Sequence, residues 1–271
     1  LVLIPQSSGC EKHYSVLHLN GTTMGTQYVI TVADRVIGAP SILKSKIEAL
    51  LEVINATMST YDSASELSNF NKSASIDWIP ISDNLYTVLE TAVSVGRDSG
   101  GAFDVTVGAL VNVWGFGPDR RVSVVPDGDT LANARARVGV DKFELQERPR
   151  ALRKRQPDVY IDLSAIVKGY AVDRVATLLQ STGHNNYLVD IGGELRAQGR
   201  NPKGQGWTIG IEAPVNGGRV IAIGRTIVLR NAGLASSGNY RNYFERDGVR
   251  YGHTIDPRTG APVQHNLAAV T

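Results

Sequence analysis

The sequence is poor in the features that mark disulfide-rich, membrane-spanning and nucleic-acid-binding proteins. It has one cysteine, Cys10, so no intramolecular disulfide can form. No apolar run approaches the roughly 20 residues that span a bilayer as a helix. The net charge is only +2, which favours neither a nucleic-acid partner nor a strongly charged substrate funnel. No cluster of cysteine and histidine has the spacing of a zinc site.

The composition is that of a globular protein built from helices and strands. The chain has 271 residues, 42% of them hydrophobic, which is enough to bury a sizeable core. Apolar residues with helical spacing at 41–57 and 84–99 alternate with short runs rich in β-branched residues, and no internal repeat divides them. The sequence therefore predicts an α+β fold, a single domain of mostly antiparallel or mixed sheets packed with helices.

The stretch 159–173 combines a strand pattern with a helix start. Residues 159–163 are rich in β-branched and aromatic side chains and predict a short strand, and Ser164 stands where a helix N-cap is expected. Backbone N–H groups at such a helix start can meet an anion, and Asp162 and Lys168 flank them with an acceptor and a cation. Because strand-to-helix junctions are common, a purely structural role remains open.

Three loop segments suit either a ligand or a structural role. The connection at 21–26 is rich in glycine and hydroxyl groups, so it lets a ligand approach the backbone or is simply a turn. Tyr61 precedes a helix with a capping-box pattern at Ser63 and Glu66, and its ring stacks on a planar ligand or fills the core edge. Asp104 belongs to a ligand loop or caps a helix.

A proline turn in the last part of the sequence concentrates oxygen donors. Asp256 and Thr259 are three residues apart around this turn, so carboxylate and hydroxyl oxygens face one point. Such ligands suit a hard cation such as Mg²⁺, which retains water and leans on substrate phosphates. His253 precedes them with a side chain suited to proton transfer near neutral pH. The same residues also make a good turn, so metal binding and a structural turn both remain open.

Six motifs in one order make a more specific pattern than any one of them alone. They are 21–26 (GTTMGT), 58–62 (MSTYD), 101–104 (GAFD), 162–173 (DLSAIVKGYAVD), 190–194 (DIGGE) and 253–260 (HTIDPRTG). This series resembles the ApbE family, the FAD:protein FMN transferases. The resemblance covers nearly the whole chain, from about Leu19 to its end.

The resemblance implies a flavin site, a metal site and a proton acceptor. The family's FAD contacts fall on Met24, Tyr61, Ala102, Phe103, Asp104, Asp162 and Lys168. Its Mg²⁺ is held by the backbone carbonyl of Ala165 together with Asp256 and Thr259. The catalytic residues it implies are His253, the candidate for proton transfer, and Asp256.

The resemblance also implies the reaction and its partners. Members transfer FMN from FAD to a Ser or Thr hydroxyl of an acceptor protein and release AMP. The acceptors are typically flavoprotein subunits of membrane redox complexes, and no nucleic acid is expected as a partner. Cleaving a diphosphate needs positioning and charge neutralisation more than covalent help, which agrees with a cation and Lys168 at the site.

The two ends of the sequence carry further expectations. We expect an N-terminal tail at 1–18 and the ApbE-like domain at 19–271. Small residues precede Cys10 as in bacterial lipoproteins, which predicts a lipid anchor and a periplasmic location at the inner membrane. The lipobox-like segment is imperfect, so a disordered linker remains open. Family members continue past Thr271 with another strand and a helix, so we expect a truncation there.

Two other functions fit the same residues. With water as the nucleophile, the site becomes an Mg²⁺-dependent FAD pyrophosphatase that gives FMN and AMP. Without chemistry, the protein is a flavin-binding module that stores or delivers FAD. A metal-competent turn beside a histidine favours an enzyme over a storage protein.

Overall fold

The structure is a computed structural model that describes most of the chain. The described residues are 16–34, 37–118, 125–213, 223–239, 242–265 and 267–271. The predicted lipid-anchor residue Cys10 lies outside them. Among the helices of these ranges, none is both long enough and apolar enough to cross a bilayer.

The helices that were predicted from apolar spacing are present. In the described part of the chain the helices are α1 (Pro40–Met58), α2 (Glu66–Lys72), α3 (Asp83–Asp98), α4 (Gly108–Val113), α5 (Gly128–Arg135) and α6 (Val167–Ser181). Short 3-10 turns cover Val105–Val107 and Val140–Lys142. The predictions at 41–57 and 84–99 are confirmed as α1 and α3, with each bound shifted by one residue.

The strands form several antiparallel sheets, the largest of which has five strands in the order β1-β2-β6-β7-β10. The strands are β1 (Leu17–Thr23), β2 (Thr26–Val32), β3 (Ile79–Pro80), β4 (Phe143–Gln146), β5 (Ala151–Lys154), β6 (Tyr187–Ile191), β7 (Glu194–Gln198), β8 (Trp207–Glu212), β9 (Ile223–Leu229), β10 (Ala232–Leu234), β11 (Ser237–Gly238), β12 (Tyr243–Arg246), β13 (Val249–Gly252) and β14 (Ala269–Val270). β3, β5 and β4 make a small second sheet, and the remaining strands pair in hairpins or short bridges. The predicted α+β class is confirmed.

The two faces of the main sheet pack against different layers. Alternate residues of β2 and β6 are buried on one face, with Ile30 and Val189 fully inaccessible. They share one core cluster with Ile47 of α1 and Val175 of α6. The other face packs against the β8–β9 hairpin around Trp207. Glu194 and Arg196 of β7 lie opposite Ile191 and Val189 of β6. Because side chains alternate along a strand, these two charged residues lie on the face that packs against α6.

A smaller core joins α4 and α5 to the predicted proline turn. Leu110 of α4, Ala134 of α5 and Ile255 are buried together with Trp114. The indole Nε1 of Trp114 donates a hydrogen bond to the carbonyl oxygen of Gly260 at 2.8 Å. Trp114, at the end of α4, therefore holds the turn at 253–260 in place.

The predicted strand at 159–163 is wrong. Val159, Ile161 and Leu163 are buried and the residues between them are not, as in a strand. No ladder forms there, because the side-chain amide of Asn71 bonds both the N–H and the C=O of Ile161, at 2.9 and 2.8 Å. The N–H of Asp162 donates to the carbonyl of Val105 at 2.7 Å. Isolated bonds thus replace a strand partner.

Two predicted helix caps are also wrong. Ser164 does not cap α6, because the N-cap residue of this helix is Ile166. The backbone N–H of Ser164 donates to Asp162 Oδ1 at 2.8 Å. α2 is capped by Ser65 rather than Ser63, through the N–H of Ser68. α2 thus has a better-placed serine two residues further on, whereas α6 begins without a side-chain cap.

Candidate functional site

Two tight turns meet at one end of the main sheet. Met24 and Gly25 connect β1 to β2 with φ of +49° and +70°, and Gly192 and Gly193 connect β6 to β7 with φ of +63° and +97°. A Cβ on Gly192 would lie 2.8 Å from Thr26 Cγ2, so the two turns are in contact only because this position is glycine. Met24, a predicted flavin contact, is therefore fixed beside the start of β7.

Lys168 and Glu194 form an ion pair at this end of the sheet. Lys168 lies in the first turn of α6, and its Nζ is 2.8 Å from both carboxylate oxygens of Glu194. Glu194 is the cross-strand partner of Ile191 on the face that packs against α6. Both side chains are partly buried, which strengthens the pair relative to an exposed one. The predicted FAD-binding lysine is thus held in place by a carboxylate.

His253 has a defined tautomer, and the charge of Lys168 affects its pKa. Its Nδ1 is 3.2 Å from the carbonyl oxygen of Asn242, and its backbone N–H donates to the same oxygen at 3.1 Å. A carbonyl oxygen only accepts, so Nδ1 carries the hydrogen and Nε2 carries the lone pair. Burial and the positive charge of Lys168 lower the pKa of His253, against the effect of the Asn242 carbonyl. At neutral pH the side chain is therefore a neutral base.

The pKa of His253 is expected to move in opposite directions when the two members of the ion pair are changed. Lys168→Met removes a positive charge and raises the pKa of His253, whereas Glu194→Gln exposes the imidazole to the full charge of Lys168 and lowers it further. Titration of the histidine Hε1 signals by NMR in flavin-free protein measures both shifts. If the pKa of His253 were the same in the parent and in both variants, His253 would not lie close to the Lys168–Glu194 pair.

The predicted contacts Ala102, Phe103 and Asp104 are on the loop between α3 and the 3-10 turn. Ala102 is exposed and Phe103 is half-buried against the main core. Asp104 is buried, and its Oδ1 accepts hydrogen bonds from the backbone N–H and the hydroxyl of Thr106 at 2.8 and 2.6 Å. Asp104 therefore caps the 3-10 turn, which fixes the two residues before it.

Asp162 lies close to the start of α4, where Gly108 has no side chain. A Cβ on Gly108 would lie 2.4 Å from Tyr160 Cδ1 and 3.1 Å from Asp162 Cβ, so a side chain at this position would displace the segment. Together with the bond from the N–H of Asp162 to Val105, this contact brings the predicted contacts at 102–104 and 162 to one region. They come from parts of the chain that are far apart in sequence.

Tyr61 lies on the α1–α2 loop with 63% of its surface exposed. Ser59 Oγ accepts the backbone N–H groups of Tyr61 and Asp62 at 3.1 and 3.0 Å, which fixes the backbone of this loop. An exposed ring on a fixed loop suits stacking on a planar ligand better than filling the core.

A recess of about 270 Å³ lies beside Met24, between the β1–β2 turn and α1. Two carboxylates, Glu48 and Glu52, line it, and the Tyr28 hydroxyl donates to Glu48 Oε1 at 3.1 Å. Burial and Glu48 raise the pKa of Tyr28 to about 12. Because its charged groups are acidic, this recess disfavours a diphosphate.

Two of the three predicted metal ligands, Asp256 and Thr259, lie in one turn, and their side-chain oxygens have hydrogen-bond partners within that turn. Both carboxylate oxygens of Asp256 contact the guanidinium of Arg258, which lowers the pKa of that carboxyl. The hydroxyl of Thr259 accepts the N–H of Ala261 at 3.3 Å within the same turn. Ala165, the third, lies in the turn before α6. No group of three or more His, Cys, Asp or Glu side chains among the described residues is arranged to hold a metal ion.

The α+β fold, with paired tight turns, a lysine and a neutral histidine at one end of the main sheet, defines a candidate ligand-binding enzyme site. Comparison with known families assigns it: the ApbE family model matches residues 24–271. The chain belongs to the ApbE family.

Named relatives and solved structures agree with this assignment. The chain is 44% identical over 269 residues to the FAD:protein FMN transferase of Haemophilus influenzae, covering 97% of this chain and 78% of that protein. The flavin transferase ApbE from Vibrio cholerae superposes with a TM-score of 0.85 at 41% identity, over 94% of this chain and 80% of that one. For the apo form of the Pseudomonas stutzeri flavinyl transferase ApbE, the TM-score is 0.84 at 38% identity, over 94% of this chain and 78% of that one.

Sequence reasoning missed Glu194, the partner of Lys168. Glu194 lies in the motif at 190–194, but nothing in the sequence pattern pairs it with Lys168. The signal that could have found it is the alternation along β7, which places Glu194 and Arg196 on the face towards α6, where Arg196 pairs with Asp173 at 2.7 Å. Only the register of β6 with β7 shows that this face carries charge.

Proposed function

We propose that this protein transfers FMN from FAD to a Ser or Thr hydroxyl of an acceptor flavoprotein and releases AMP. The observation that carries the proposal is the neutral His253, with its Nε2 lone pair available and with Lys168 close enough to lower its pKa. Membership of the ApbE family supports it, as do several relatives that are named FAD:protein FMN transferase.

The proposed chemistry is a displacement at the flavin-side phosphorus of FAD. The acceptor hydroxyl oxygen forms a bond to this phosphorus, the anhydride P–O bond breaks, and AMP leaves with both electrons of that bond. His253 Nε2 takes the proton of the hydroxyl, directly or through water. Lys168 supplies positive charge near the diphosphate, where negative charge develops on the oxygens.

The proposed flavin contacts are the residues that the ApbE resemblance implies. They are Met24, Tyr61, Ala102, Phe103, Asp104, Asp162 and Lys168. Tyr61 presents an exposed ring for stacking, and Lys168 presents a cation held by Glu194. Asp104 and Asp162 act mainly through the backbone that they fix, because each carboxylate accepts local N–H bonds.

We also propose that Mg²⁺ takes part, as the resemblance implies. When bound, it would neutralise phosphate charge during the displacement. The donors implied for it are Ala165, Asp256 and Thr259, and the last two have their side-chain oxygens engaged within the protein. We therefore assign no step to the cation.

The proposed setting is the periplasm, at the inner membrane of a bacterium. Its support is the run of small residues that ends at Cys10, which is the proposed lipid attachment site, and the expectation that the acceptors are flavoprotein subunits of membrane redox complexes. Incorporation of labelled palmitate into the protein as it is made in cells, compared with a Cys10→Ser variant, tests the anchor.

Incubation of the protein with FAD, Mg²⁺ and an acceptor domain tests the proposed reaction. Protein-bound flavin that survives denaturation, with one AMP released per flavin attached, is the expected result. An acceptor whose target hydroxyl is removed should stay unmodified. Free FMN plus AMP would instead show a pyrophosphatase, and intact FAD would show a binding protein, so either outcome would overturn the proposal.

A further inference from the structure

Glu194 places a carboxylate against Lys168, the cation that we assign to the diphosphate of FAD. Its two oxygens each lie 2.8 Å from Nζ of Lys168, and only 19% of its side chain is exposed, against 31% for the lysine. The turn before it is fixed, because the N–H of Gly193 donates to Asp190 Oδ1 at 2.9 Å. The fold therefore holds a negative charge where the proposed substrate also brings negative charge.

Lys168 can bind a phosphate without releasing Glu194. An ammonium group has three N–H donors, and the two oxygens of Glu194 accept two of them. The third is available to donate to an oxygen of a ligand. In such a shared arrangement the lysine attracts the phosphate while the carboxylate repels it. The net attraction is then smaller than that of a lysine alone.

A second ion pair joins the same two elements and provides an internal comparison. Arg196 Nη1 lies 2.7 Å from Asp173 Oδ1, so charged side chains connect α6 to β7 at two places. Asp173 is five residues after Lys168, which places it about 7.5 Å further along the helix axis from the start of α6. If Glu194 served only to join α6 to β7, the two pairs would be equivalent.

We propose that Glu194 is a resident counter-ion of Lys168, which stays paired when the nucleotide binds and limits how tightly the phosphate groups are held. Glu194 takes no part in the bond changes and only tunes the affinity of the site. The inference rests on the proposed function, which places a nucleotide phosphate at Lys168. In the proposed transfer the site must release AMP, whose phosphate carries a charge of about −1.5 to −2 at pH 7. A counter-ion speeds the release of this product.

The first test measures nucleotide affinity in Glu194→Gln, which removes the charge but keeps the size of the side chain and one acceptor oxygen. Flavin fluorescence gives the Kd of FAD, and displacement of FAD gives the Kd of AMP, both in buffer without divalent cations. Both Kd values should fall about three- to thirtyfold, because Lys168 then acts with its full charge. The difference from the parent should shrink at high salt.

A Lys168→Met variant gives a second measurement that does not depend on the first. Loss of the lysine leaves Glu194 as an unpaired carboxylate beside the phosphate, so the affinity for FAD falls. Adding Glu194→Gln to this variant should recover about three- to tenfold of the lost affinity, because the repulsion is removed. A residue that only joined α6 to β7 would recover nothing, since the pair is already broken in the single variant.

Asp173→Asn is the matched control, because it removes the carboxylate of the other ion pair between α6 and β7. Its Kd values for FAD and AMP should stay within about twofold of the parent, as expected for a more exposed pair away from the ligand. The Tm of each variant is measured alongside, so that a loss of stability is not read as a change in affinity.

Two results would overturn the counter-ion. One is a Glu194→Gln variant with the Kd values of the parent. The other is weaker binding in Glu194→Gln with no recovery in the double variant, which would show that Glu194 only orients Lys168. These affinities are measured without an acceptor protein, so FAD that binds but is never transferred would remove the proposed reaction and leave the counter-ion to the Kd values. A parent that binds no FAD would overturn both.

Discussion

A His253→Gln variant is expected to lose FMN transfer by about 10²–10⁴-fold in kcat while it keeps the affinity of the parent for FAD. Glutamine is a polar side chain of similar size, and the backbone N–H of residue 253 still donates to the Asn242 carbonyl, so the local backbone stays in place. It lacks a basic nitrogen, so the acceptor hydroxyl loses the group that takes its proton. Single-turnover flavin attachment and flavin fluorescence on FAD binding measure the two quantities.

His18→Gln is the matched control for this experiment. His18 is exposed on β1, where its Nδ1 is 3.1 Å from the Thr31 hydroxyl, and nothing places it at the site. Its transfer rate should equal that of the parent. Parental kcat in His253→Gln would remove His253 from the chemistry, and a matching loss of FAD affinity would make it a binding residue instead.

A Lys154→Met variant is expected to lower the free energy of unfolding by about 2–4 kcal/mol, because it leaves three backbone carbonyls without a charged donor. Lys154 is 1% exposed, and its Nζ donates to the carbonyls of Asn71, Ser73 and Pro157 at 3.0, 2.7 and 3.1 Å. Asn71 in turn bonds Ile161, next to Asp162. Affinity for FAD should therefore fall with stability, as measured by denaturant titration and flavin fluorescence.

The same lysine predicts a pH dependence of stability. Burial lowers the pKa of Lys154 to about 8, from the usual 10.5 of an unfolded lysine. Between these values the unfolded chain binds more protons than the folded chain, so the stabilising contribution of Lys154 rises with pH. The difference in unfolding free energy between parent and Lys154→Met should widen from pH 8 to pH 10.

Lys72→Met is the control for Lys154. Lys72 is exposed, and it donates to one backbone carbonyl, that of Ser63, at 2.8 Å. Its replacement should cost less than about 0.5 kcal/mol, as surface substitutions usually do, and show no widening with pH. If the two variants behaved alike, Lys154 would not anchor the segment that carries Asp162.

Local patterns predicted α1, α3 and the overall class, because apolar spacing reports which face of a helix is buried. At 159–163 the content of β-branched and aromatic residues predicted a strand, and every second side chain there is buried. Local patterns could not show that no strand pairs there, because the partner is the side chain of Asn71, many residues earlier. Alternation reports burial, whereas a ladder requires a neighbour that lies elsewhere in the chain.

The candidate site was predictable mainly through the six motifs, and less through physical reasoning on single residues. Asp104 and Asp162 illustrate this, since their local hydrogen bonds match the structural interpretation that remained open for them. Glu194 depended on strand register, and the Asp256–Arg258 pair depended on side-chain orientation in a turn. The assignments of catalytic, flavin and metal residues stay predictions.

The contact between the two tight turns has a consequence for how the protein is made. The β1–β2 turn is synthesised early and the β6–β7 turn much later, and His253 follows later still. Loop closure over such distances is slow compared with the formation of local helices. A growing chain can therefore form α1 and α3 long before it can hold a flavin, so binding competence is acquired at the last stage of folding.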